Sequence, residues 1–219
     1  ASSYMVAQVK RKDVARQPAP PFITSTLQQE AWRKLKFTAK RTMSLAQQLY
    51  EGLPVGREGN VGLITYMRTD STKIAVSAQQ EARDYIAQKF GTDFLPPAPR
   101  APRGKVKGAQ EAHEAIRPTS VRREPDMLKS YLNRDQLRLY ELIWKRLVAS
   151  QMADAVMNTT TVDIAATTRG ASAGYLLRTA RSVVSFPGFL VLYTEDKDDA
   201  EDDKAVFHAF GRPLVRNRF

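Results

Sequence analysis

A change of hydrophobic period along the chain limits the fold more than any other feature. From Asn133 to about Ser150 the apolar residues Leu137, Tyr140, Ile143, Trp144, Leu147 and Val148 recur at helical spacing. From Asn158 the period drops to two. Thr160, Val162, Ile164 and Ala166 alternate with Thr159, Thr161, Asp163 and Ala165, as in a strand. A similar alternation, Tyr4 to Val9, opens the chain. The order β, helical, β predicts an α+β fold in which a mainly helical domain is inserted into a β-rich one. The expected boundaries are a first β segment at 1–24, a helical domain at 25–152, and a second β segment with an acidic loop at 153–219.

Local signals fill in this frame. Pro18, Pro20 and Pro21 predict an extended connector after the first strand. Thr26 with Gln29, Ser77 with Gln80 and Asn133 with Gln136 each fit a capping box, so a helix is expected after each. Another helix is expected from Ala39 to Tyr50, ended by Gly52. Gly56 to Asn60 reads as a turn feeding an apolar strand that ends at Tyr66. Glu111 to Ile116 reads as a short helix or turn before Pro118. Tyr175–Leu177 and Phe189–Tyr193 read as strands. Leu95 to Gly108, with Arg100, Arg103, Lys105 and Lys107, reads as a mobile basic surface loop.

Composition narrows the function classes. With no cysteine, disulfides, thiolate catalysis and cysteine-based zinc sites are excluded. No apolar run approaches a membrane span, and the opening residues do not resemble a signal peptide. The net charge is +11, although Glu195 to Asp203 alone contributes seven acids. Outside that run the chain is more basic still, which points to a polyanionic partner such as nucleic acid.

The chemistry concentrates in Gly62-Leu-Ile-Thr-Tyr-Met-Arg-Thr-Asp-Ser-Thr72. Tyr66 brings a phenol and Arg68 a guanidinium two residues later. In an extended backbone both leave the same face. A tyrosine nucleophile needs a nearby cation or proton acceptor, and a guanidinium can fork onto a phosphate. Asp70 is placed to orient Arg68, and Ser71 or Thr72 to cap the next segment or bond a phosphate oxygen. On chemistry alone, a strand-end aromatic beside a surface ion pair remains open.

The longer string resembles the active-site segment of type IA DNA topoisomerases along its whole length. Ala112-His-Glu-Ala-Ile-Arg-Pro-Thr119 resembles a second segment of that family. Pro20 to Ala31 is similar to its entry into the active-site domain, and Leu142 to Met152 to its exit. The resemblance covers about residues 4–194; Ala205 to Phe219 matches none of it. It implies that Tyr66 is the nucleophile and Arg68 the phosphate contact. Thr69, Asp70, Ser71, His113 and Arg117 are then expected on the DNA side, with Asp70 and Ser71 supporting the loop. The family cleaves one strand through a 5′-phosphotyrosine, passes the other strand, and reseals without ATP. Its nucleophile domain sits on a β-stranded arch.

The resemblance also implies Mg2+, held by a Toprim domain that supplies carboxylates and a general acid. No such pattern is found here, so the chain reads as a central fragment expected to be inactive alone. Implied partners are single-stranded DNA segments and negatively supercoiled duplex, with no membrane. The implied setting is a monomer in the bacterial cytoplasm, associated with the nucleoid. Two other classes compete. A tyrosine recombinase requires a His-x-x-Arg before a late tyrosine, whereas His113 and Arg117 follow Tyr66. A non-catalytic, winged-helix-like DNA-binding module is the remaining alternative.

Overall fold

The computed structural model describes residues 2–100, 114–168, 174–194 and 208–210. The chain forms two compact units. One contains 1–16, 155–187 and 195–219; the other contains 17–154 and 188–194. The first division falls eight residues before the one expected at 24, the second two residues after the one expected at 152, and the helical unit also takes back 188–194.

The β unit is an antiparallel sheet in the order β1-β4-β5-β6, with β1 Ser2–Arg16, β4 Ala155–Thr168, β5 Tyr175–Phe186 and β6 His208–Phe210. β1 pairs along its length with β4, from Ser2 opposite Thr168 to Arg16 opposite Ala155, with one bulge between Val6 and Gln8. The first strand therefore runs well past Val9. Pairing with β4, not apolar content, carries it through the polar stretch Lys10 to Arg16. Successive residues Tyr4, Met5 and Val6 are all exposed, so both faces of this strand meet solvent. The alternation here marks a single-layer strand, not a half-buried one. The sheet's most enclosed carboxylate, Asp163, takes two hydrogen bonds from the Arg178 guanidinium on β5, at 2.6 and 2.9 Å.

The helical unit is built on α4, Arg134–Gln151. Its capping box forms as expected. Asn133 Oδ1 accepts from the amides of Asp135 and Gln136, and Gln136 Oε1 accepts from the Asn133 amide at 2.9 Å. Tyr140, Ile143, Trp144, Leu147 and Val148 are buried, and Leu139 and Leu142 join them. Around α4 stand α1 (Thr24–Glu30), α2 (Ala39–Glu51) and α3 (Val76–Phe90). A short hairpin, β2 (Leu53–Pro54) and β3 (Asn60–Val61), follows α2. The Tyr85 ring on α3 meets Trp144 edge to face at 5.6 Å. Arg146, also buried, donates to Pro20 O and lies over the rings of Phe22 and Tyr193.

Four local expectations need correction. α1 begins at Thr24, so Thr26 is its third residue, where the hydroxyl bonds back to the backbone of Ile23. α3 begins at Val76 without a side-chain cap, because Ser77 lies inside it. Glu114 to Pro118 is extended, bridging Phe22 through Ile116 and Ile64 through Pro118. Phe189 to Tyr193 is no strand: Gly188–Val191 is a 3-10 turn that buries Phe189. Gly188 sits at φ +47, and a Cβ there would meet the Asp154 carbonyl at 2.4 Å. No helix among the described residues is long and apolar enough to cross a membrane.

Candidate active site

Residues 66–71 belong to no strand, and the chain bends at Met67 and Arg68, yet their exposure alternates. Tyr66, Arg68 and Asp70 are exposed; Met67, Thr69 and Ser71 are buried. The phenol and the guanidinium are therefore both open to solvent. Tyr66 is 46% exposed. Among the described residues, neither its hydroxyl nor the Arg68 guanidinium has a hydrogen-bond partner, and Arg68 and Asp70 are not ion-paired.

The inward residues hold the segment in place. Thr24, the first residue of α1, clamps it: its amide donates to Thr69 O at 2.9 Å. Its hydroxyl lies 2.9 Å from Met67 O and 3.0 Å from Thr69 O, and accepts from the Thr69 amide at 2.9 Å. Thr69 Oγ1 accepts from the Ser71 amide, and Ser71 Oγ from the Lys73 amide. Both hydroxyls, expected on the DNA side, are turned into the loop.

Upstream, the Leu63 amide donates to Leu49 O at the end of α2, and the Thr65 amide to Arg117 O. Thr65 Oγ1 donates to Ala115 O at 2.7 Å and accepts from the Arg117 amide at 3.0 Å. The two family-like segments, 62–72 and 114–119, are thereby laced together. Gly62 permits the approach to α2: a Cβ there would lie 2.8 Å from Tyr50 O. The Tyr50 ring then meets Tyr66 edge-on, with centroids 5.4 Å apart. An edge contact of this kind contributes about 0.5–1.5 kcal/mol and narrows the directions open to the Tyr66 ring.

Arg117 differs from Arg68. Its side chain is mostly enclosed, paired with Glu114 at 2.7 Å and donating to Pro118 O. His113, Arg103, Lys105 and Lys107 lie outside the described residues. Arg100, expected in a mobile loop, is anchored. It donates to Met152 O and Asp154, and its own carbonyl accepts from Gln79. With Thr72, Ile74 and Gln151 it lines a cavity of about 190 Å³ at the downstream end of the tyrosine segment.

The buried tyrosines show what a structural phenol looks like in this fold. Tyr140 donates to Arg123 O, and Tyr193 to Glu30 Oε2. Burial pushes both phenols well above the ordinary value, and Tyr85 likewise. Tyr66 has neither the burial nor the partner. No group of three or more His, Asp or Glu among the described residues is placed to hold a metal ion.

Sequence reasoning missed Thr24, Tyr50 and Gly62. Only Gly62 carried a signal, as a glycine opening an apolar run. A family model described as DNA topoisomerase matches residues 1–212. The chain belongs to the type IA DNA topoisomerase family. It is 53% identical over 200 residues to the DNA topoisomerase 1 of two Xylella fastidiosa strains, Temecula1 and 9a5c. That alignment covers 90% of this chain and 24% of the relatives, so the chain spans about a quarter of their length. The full-length topoisomerase I of Thermotoga maritima superimposes with a TM-score of 0.74 at 38% identity. It covers 89% of this chain and 30% of that one. Membership extends across both units.

Proposed function

We propose that this chain carries the nucleophile of a type IA topoisomerase that relaxes negatively supercoiled DNA. Tyr66 Oη attacks a backbone phosphorus of one strand. The Oη–P bond forms as the phenol gives up its proton, the P–O3′ bond breaks, and the freed 3′ oxygen takes a proton. Reversal of the same exchange reseals the strand after the other has passed. One observation carries the reading. The reactive side chains Tyr66 and Arg68 are both open to solvent and, among the described residues, have no hydrogen-bond or ion-pair partner, on a segment whose alternate residues are pinned from behind.

Arg68 is the phosphate contact, its fork matched to two phosphate oxygens. Asp70 flanks it on the same face. Thr69 and Ser71 act on DNA indirectly, by fixing the loop. Arg117, held by Glu114, offers at most its outer edge to a phosphate, and His113 is assigned to the same strand. Magnesium, the general acid and the carboxylates that hold the metal come from residues outside this chain. The assigned setting is a monomer in the cytoplasm, on the nucleoid.

The test uses the full-length enzyme. Tyr66→Phe keeps the ring and the Tyr50 contact while deleting the attacking atom. It should abolish relaxation and the covalent DNA adduct on denaturing gels, with DNA binding largely kept. Arg68→Ala should slow cleavage by about a hundred- to a thousand-fold, as expected for loss of one transition-state contact. Relaxation by Tyr66→Phe at the parent rate would end the assignment.

A further inference from the structure

Past its clamp to the tyrosine segment, α1 widens into a π-helical turn, Ala31–Leu35. The amide of Lys36 closes it onto Ala31 O and Trp32 O, and Lys36 itself is left-handed at φ 61. Single π turns of this kind are frequent at functional sites. Here the turn presents an indole. Trp32 is 58% exposed, whereas Trp144, the chain's second tryptophan, is 4% exposed and donates to Val121 O.

The surroundings of Trp32 are polar and basic. Ser25, Gln29, Arg33 and Lys36 are the exposed residues of the same turn and helix, and Lys40 follows at the start of α2. The one acid in this stretch, Glu30, is buried and already taken by Arg33 and the Tyr193 hydroxyl. Among the described residues Lys36 and Lys40 have no carboxylate partner. An exposed flat aromatic on a stretch that also exposes the unpaired cations Lys36 and Lys40 is the pairing that holds single-stranded nucleic acid, the bases stacking and the phosphates meeting the charges. A protein partner reading an exposed indole would not need that excess of positive charge.

We propose that Trp32 is a stacking platform for a base of single-stranded DNA, with Lys36 and Lys40 contacting the flanking phosphates. The proposal rests on DNA being the partner and adds a second contact to it. Thr24, which clamps the tyrosine segment, and Trp32 stand on one helix, about 12 Å apart along its axis. A strand gripped at Trp32 is therefore held at a fixed distance from the segment carrying Tyr66.

The test needs only the 219-residue chain and an oligodeoxythymidylate of about 12 nucleotides, within the usual span of such grooves. Binding is followed by anisotropy of a labelled oligonucleotide and by tryptophan emission. The long-wavelength emission of exposed Trp32 should be quenched on binding, while the buried Trp144 component stays and reports an intact core. Trp32→Ala should raise Kd about 5- to 150-fold. Trp32→Phe should recover part of the loss. An abasic oligonucleotide of equal length should bind the parent about as weakly as the normal one binds Trp32→Ala. Unchanged Kd in Trp32→Ala, or binding without quenching, would overturn the platform and leave the DNA reading standing. Absence of any binding by the parent chain would overturn both.

Discussion

Replacing Thr24 with valine tests whether the tyrosine segment is held as described. Valine keeps the shape and removes only the hydroxyl. The Thr69 amide then loses its one partner, and the Met67 carbonyl loses the hydroxyl it shares; Thr69 O keeps the Thr24 amide. Met67 is fully buried and Thr69 nearly so. An unsatisfied buried donor costs about 1–3 kcal/mol, and the partly deprived carbonyl adds less. The expected loss is about 2–4 kcal/mol. Serine at the same position keeps both bonds and loses one methyl, about 1 kcal/mol. Urea unfolding of the helical unit should show a lower midpoint for Thr24→Val with an unchanged slope. Amide exchange at Thr69 should rise in the valine variant and stay slow in the serine variant. A valine variant within about 0.5 kcal/mol of the parent, or a serine variant as weak as valine, would refute the clamp.

Other outcomes follow from the same contacts. Gly62→Ala should destabilise by about 1–3 kcal/mol, because its Cβ meets Tyr50 O at 2.8 Å; unfolding midpoints measure this. Tyr50→Ala in the full-length enzyme should reduce the rate of adduct formation while leaving DNA affinity unchanged, since only the ring contact to Tyr66 is lost. In the sheet, hydrogen bonding from Arg178 holds the Asp163 carboxyl below its ordinary value. Its contribution is therefore present above the unfolded carboxylate range, near pH 4, and lost as pH falls through the lower folded value. Arg178→Gln should weaken the sheet at neutral pH and flatten its acid sensitivity in pH-dependent unfolding. Finally, the 219-residue chain with magnesium and a single-stranded oligonucleotide should give no cut strand on a sequencing gel.

The sequence was most informative where one signal dominated. α4 was legible because a capping box and a long amphipathic stripe agree. The common exposure of Tyr66 and Arg68 agrees with the alternation expected of the segment, although the backbone bends at Met67 and Arg68 and forms no strand there. What the alternate residues do was not legible. Thr69 and Ser71 look like exposed hydroxyls until Thr24, far back in the chain, supplies the partner that turns the segment inward. Arg117, expected on the DNA side, is instead paired with Glu114 three residues earlier, a contact that sequence spacing permits but does not establish. Phe189 to Tyr193 reads as a strand because a short apolar run fits a strand and a buried turn equally. Gly188 at positive φ decides for the turn.

The long pairing of β1 with β4 carries a consequence for the order of folding. Arg16 and Ala155 face each other across the ladder, yet all of residues 17–154 lie between them in the chain. Closing a flexible loop of that length costs about 3 kcal/mol more entropy than closing a four-residue turn. Once the helical unit has folded, its two ends are fixed and the ladder needs to zip only from Arg16 and Ala155 outward. The helical unit should therefore form first, and the sheet should follow at the pace of a hairpin. A mutation that cripples α4 should delay the sheet's amides in pulse-labelling exchange, whereas a lesion in β5 should leave the timing of the helical unit unchanged.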